Sequence, residues 1–184
     1  MSLKALISCF LSFNSSRPRP GKQLTFKPSD QVTLNCSSFF GSDTPDSLRQ
    51  KRYFHNFYSQ FDITDKLGLI AGFDIDAQQQ TKESRSYHVW YSPVLIARYM
   101  ASDKLTLAAR TEYYSDSSEV IVSIRTPNGF KAFGCSFNVD YAVADNVLWR
   151  IEARGFKSGD DIFEKDAIPS TSNVFLGTAF SVAF

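Results

Sequence analysis

The chain has 184 residues, a length that fits a single domain. Hydrophobic residues make up 43% and charged residues 21%, which excludes a disordered composition. Lys and Arg number 20 against 19 Asp and Glu, and the resulting net charge of +1 gives no reason to expect nucleic acid as a partner. No run approaches the roughly 18 uninterrupted apolar residues of a membrane-crossing helix.

In chain order, residues 1–21 stand apart from the rest. Within them, 4–13 (KALISCFLSF) carry one Lys and a short apolar run. This segment admits three readings: a signal-peptide remnant, an extra strand or a truncation artefact. No A-x-A cleavage site follows it, and Leu6-Ile7-Ser8-Cys9 lies too near the start for a lipoprotein signal. As a strand, Ala5, Ile7, Cys9, Leu11 and Phe13 would share a face. The following 15–21 reads as a loop.

From residue 22 to 184 the pattern becomes constant. Apolar residues recur at every second position, the period of a strand with two unlike faces. Strands are predicted over about 22–27, 31–40, 52–62, 66–77, 88–100, 104–114, 130–141, 146–157 and 173–184. In 104–114, Leu105, Leu107, Ala109 and Tyr113 alternate with Thr106, Ala108, Arg110 and Glu112. In 146–157, Val147, Trp149, Ile151 and Ala153 alternate with Leu148, Arg150, Glu152 and Arg154. Most of these strands exceed the usual 5–6 residues of soluble sheets and match the roughly 9–11 needed to cross a bilayer at a tilt. Pro93 lacks an N–H, so an interrupted ladder, with a shift of phase as one outcome, is expected there.

The connections alternate in length. Short turns carry Asp30, Asp65, Asp103 and Asp145, spaced 35, 38 and 42 residues apart, and Asp suits turns because its side chain bonds nearby backbone. Long polar connections cover 41–51, 78–87, 115–129 and 158–171. Inside the third, Val120-Ile121-Val122 is apolar and β-branched and predicts a strand extension. Short turns at one end and long loops at the other describe an all-β, antiparallel up-and-down transmembrane β-barrel, or a partial barrel, of about nine or ten strands. Tyr53, Tyr113 and Tyr141 near strand ends suit interfacial girdles. A soluble β-barrel or sandwich holding a small ligand would invert the two faces and is the competing fold.

The last strand ends on alternating Phe180, Val182 and Phe184, and such a terminal strand resembles the assembly signal read by the outer-membrane barrel-assembly machinery. More widely, the hairpins with "SDK" or "TDK" turns, LGLIAGFD (67–74), VLIARYMASDKLTLAARTEYYSD (94–116) and NVLWRIEARGF (146–156) resemble the OmpL-like family of β-barrel porins. Members of that family are usually longer, with a signal peptide and more strands, so the resemblance implies the C-terminal portion of a longer barrel. It also implies a bacterial outer-membrane location, a lipid environment and small hydrophilic solutes as cargo.

With the apolar face toward lipid, the other face carries charge: Asp74, Arg98, Arg110, Glu112, Asp140, Arg150, Glu152 and Arg154 are the channel-lining candidates. Salt bridges that merely stiffen the wall explain the same residues equally well. No catalytic, cofactor or metal site is expected. Cys9, Cys36 and Cys135 are odd in number without CxxC spacing, and His55 and His88 lie far apart. Asp74 and Asp76 are spaced as any polar strand face would space them. His88 with Ser92 lacks an evident acidic partner, and Gly159-Asp160-Asp161 reads as a solvated loop before it reads as a calcium site. The function expected is a porin-like channel for passive diffusion. The alternatives are a structural or adhesive barrel and the soluble ligand-binding fold.

Overall fold

The computed structural model describes residues 4–13, 18–45 and 47–183. No α-helix occurs among them. Ten long strands form one sheet: β1 (Lys4–Phe13), β2 (Pro18–Ser29), β3 (Val32–Gly41), β4 (Arg52–Asp62), β5 (Leu67–Gln79), β6 (Tyr87–Met100), β7 (Leu105–Asp116), β8 (Phe130–Ala144), β9 (Val147–Lys157) and β12 (Ser172–Val182). Two short strands, β10 (Phe163–Lys165) and β11 (Ile168–Ser170), pair separately within the last long connection. Each long strand pairs antiparallel with its neighbours in sequence, so the topology is up-and-down throughout. β1 and β12 are the two edges, and among the described residues no ladder joins them.

The register turns the sequence alternation into two continuous surfaces. One row runs Val32, Phe61, Leu69, Ala97, Ala109, Phe137, Ala153, Leu176 across eight strands. The neighbouring row, on the opposite face, runs Thr33, Gln60, Ile70, Ile96, Arg110, Ser136, Arg154, Phe175. Phe57, Phe61, Phe73, Leu95, Phe137, Leu176 and Phe180 on the first face are all exposed. Among the described residues, the buried apolar side chains are Trp90 and Ala132, and both stand on the second face. A soluble sheet buries its apolar side; this one leaves it bare, as a sheet solvated by lipid does.

Aromatic rings mark both ends of the bare face. Phe40 and Tyr53 (centroids 4.8 Å), Tyr53 and Tyr87 (5.9 Å) and Tyr91 and Tyr113 (6.2 Å) lie toward the long loops. Trp149 stacks on Phe180 at 5.8 Å near the short turns, with Phe61, Tyr99 and Tyr141 exposed at the same end. On β4, Tyr53 through Phe61 spans nine residues, within the roughly 9–11 that a tilted strand needs to cross a bilayer.

Four details differ from the sequence pattern. β2 begins at Pro18, not near residue 22, and Lys4–Phe13 pairs along its whole length with Pro18–Lys27. Val120-Ile121-Val122 is not a strand: the Asp116 carboxylate accepts their backbone N–H groups at 2.8, 2.7 and 3.2 Å, which replaces a ladder partner. The last long connection contains the β10–β11 hairpin, whose two-residue turn sets Asp166 and Ala167 at φ 54° and 63°. Pro93 interrupts the β6–β7 ladder but shifts no phase, because Tyr91↔Ser115 and Val94↔Glu112 keep one register. Pro93 still pairs with Phe73 on the β5 side, which shows that its missing N–H falls on the β7 side.

Candidate channel wall

All eight charged residues singled out in the sequence lie on the face opposite the bare apolar one. Asp74 stands opposite Asn56 and Ser92, Arg98 opposite Gly68 and Ala108, Arg110 opposite Ser136, and Asn138 opposite Glu152. The strands fix this parity, since one residue of slip would put every charge on the apolar face.

The ladder then brings together charges that are distant in sequence. Glu112 is held between two guanidinium groups, Arg110 on its own strand and Arg154 on β9. Arg110 Nε donates to Glu112 Oε2 at 2.9 Å. Gly134 sits between Glu112 and Phe156 in the register, and a Cβ there would lie 2.9 Å from both side chains. The absence of a side chain at 134 therefore lets Glu112 and Phe156 close over β8 from either side. Arg154 also covers the Phe156 ring, with Cζ 4.9 Å from its centroid. Toward the short turns, Arg150 grips Asp140 with two bonds, Nε to Oδ1 at 2.7 Å and a terminal nitrogen to Oδ2 at 2.6 Å. Asp74 accepts a 2.6 Å bond from Asn56 Nδ2. Arg98 and Glu152 are in no ion pair among the described residues.

Sequence reasoning missed a second group on the same face, near the long loops. Asp76 and Asp116 are fully buried. Arg52 donates to Asp76 at 2.6 Å and to Asp43 at 2.7 Å, tying Asp43 in the connection after β3 to the polar face. Phe54, Trp90, Tyr114 and Phe130, on β4, β6, β7 and β8, form a row of rings with centroids 5.9, 5.5 and 5.5 Å apart, passing over Asp76 of β5. Their parity matches that of Arg110 and Glu112, and that was the available signal. It was obscured because 53–58 carries aromatics at both parities.

The other candidate sites do not assemble. His88 and Ser92 share the polar face, but four residues of extended chain separate them by about 13 Å, with Trp90 between. Asp160 is engaged by Asn128, through Nδ2 at 3.0 Å and the backbone N–H at 3.2 Å. Cys36 and Cys135 are free thiols on the apolar face. The side chain of Cys9 and all of Phe184 lie outside the described residues.

Comparison with known proteins decides the family. Residues 9–184 match the family described as "Putative beta-barrel porin-2, OmpL-like". The chain belongs to this β-barrel porin family. It is an outer-membrane, porin-like channel, and the family implies the membrane that holds it. Among solved structures it resembles the NanC porin in a rhombohedral crystal form, with a TM-score of 0.59 and 15% identity over 99% of this chain and 93% of that one. At that identity the likeness speaks for the fold alone. No curated protein matches the chain.

Proposed function

We propose that this porin passes small hydrophilic solutes by passive diffusion along its charged face, with Asp74, Arg98, Arg110, Glu112, Asp140, Arg150, Glu152 and Arg154 as wall residues. One observation carries the reading: the eight charges share a face, and the opposite face is apolar and exposed. A charged wall in water biases permeation by sign and by field strength. The Arg110–Glu112–Arg154 cluster and the Arg150–Asp140 pair stiffen the wall while each leaves guanidinium surface toward the lumen. In this reading the same residues both stiffen the sheet and present charge to the solute.

In this reading the long loops lie at the outer surface and the short turns in the periplasm. The β12 strand, with Phe180 and Val182 exposed on the apolar face, supplies the segment that the barrel-assembly machinery recognises, together with Phe184. The test is planar-bilayer recording in asymmetric salt. Arg150→Gln combined with Arg154→Gln should lower anion preference and move the reversal potential toward the cation side. An unchanged reversal potential would remove both residues from the permeation path.

A further inference from the structure

The outward face carries a polar feature of its own at the long-loop end. Arg49, Lys51, Lys82, Arg85 and Glu83, with Tyr87, border an open cleft of about 710 Å³. Four cations face one carboxylate in a chain whose net charge is only +1, so the cleft concentrates positive charge locally. None of the four cations is in an ion pair among the described residues.

The cleft is held in shape from beneath. Gln79 is buried and uses both ends of its amide: Oε1 accepts the Lys51 N–H at 2.9 Å, and Nε2 donates to the Ser84 carbonyl at 2.7 Å. A second glutamine strap, from Gln50 Nε2 to the Gln80 carbonyl at 2.7 Å, links the same two loops. Lys51 and the Lys82–Arg85 turn are thus fixed relative to each other.

Position selects the ligand. Gln79 pairs with Tyr87 in the ladder, and both have the parity of Phe73 and Ala77, the outward face. Tyr87 packs on Tyr53, and Tyr53 on Phe40, so the cleft sits directly above the aromatic row. A solute moving along the charged face is on the other side of the sheet.

We propose that this cleft binds the phosphorylated headgroup of an outer-leaflet lipid. Guanidinium groups grip phosphate oxygens through paired N–H bonds, lysines add point charge, and each cation near an anionic leaflet strengthens binding several-fold. The proposal rests on the reading that the long loops lie at the outer surface.

The test uses the full chain in phosphatidylcholine nanodiscs doped with diphosphorylated lipid A or with its dephosphorylated form, read by native mass spectrometry. The wild-type chain should retain the diphosphorylated lipid roughly tenfold or more better than the dephosphorylated one. The Arg49→Gln, Lys82→Gln, Arg85→Gln triple variant should lose that preference, and inorganic phosphate should not displace the lipid. Equal retention of the two lipids, an unchanged preference in the triple variant, or displacement by inorganic phosphate would each overturn the proposal. The comparison of lipids needs no variant, so it is independent of any folding defect. Conductance of the same samples separates the two readings. A chain that conducts but ignores the phosphates sinks this proposal alone, whereas one that prefers the phosphorylated lipid but never conducts sinks the channel.

Discussion

At the scale of single residues, two buried carboxyl groups organise the long-loop end of the polar face. Asp116 has no access to solvent and accepts three backbone N–H groups from 120–122. Asp116→Ala would leave those donors without their acceptor, and unfolding in lipid vesicles should register a loss of about 2–4 kcal/mol. Asp116→Asn, which keeps one accepting oxygen, should fall between. Arg52 offers a sharper contrast. Arg52→Ala strands the buried Asp76 carboxylate and should cost about 3–5 kcal/mol, more than Asp76→Asn, which removes the charge that needed a partner. Equal losses in urea titration would contradict Arg52 as the group that offsets the burial of Asp76. Gly134→Val tests the packing of the triad: the new side chain would press on Glu112 and Phe156 together. It should separate Glu112 from Arg154 and shift ion preference in bilayer recordings without touching a charge.

At the scale of the strand, the two faces should be chemically distinguishable. In a background with Cys9, Cys36 and Cys135 replaced by Ala, Asn138→Cys should react with a charged methanethiosulfonate reagent added from water. Phe137→Cys, one residue away on the exposed apolar face, should be shielded by lipid and label only with a lipid-soluble maleimide. Similar labelling at both positions would deny the face assignment. This alternation was legible in sequence because side-chain period is a local property of extended backbone. The assignments of Arg110, Glu112, Arg150 and Arg154 to one face followed from it directly. Less legible were places where a side chain replaced a ladder partner. Val120-Ile121-Val122 has strand propensity, yet the Asp116 carboxylate satisfies its N–H groups in a non-strand conformation. Pro93 leaves the gap in the ladder that its missing N–H predicts, but the partner strands on both sides hold the phase.

At the scale of the molecule, the sheet has an exposed apolar face and two edge strands, β1 and β12. Backbone N–H and C=O groups on an open edge cannot find water in hydrocarbon, and each costs several kcal/mol. Function in a bilayer therefore requires both edges to be paired. A closed barrel resists detergent until heated, so the unheated chain should migrate faster on a denaturing gel than the boiled chain, and should fractionate with membranes. Recovery as a monodisperse species without detergent would contradict the lipid-facing assignment. The charged face and the cationic cleft are separated by the sheet itself, so the proposed solute passage and lipid binding should respond independently to mutation.

The sequence by itself determined the two faces, the asymmetry of turns and loops and the placement of the eight charges on one face, because each depends on neighbours a few residues away. Only the tertiary structure decided which charges meet. Arg154 reaches Glu112 across 42 residues of chain, Arg52 holds Asp76 across 24, and Gln79 straps Lys51 across 28. Those meetings are set by the registers of several ladders taken together, and register is a property of paired strands that no single strand's periodicity contains.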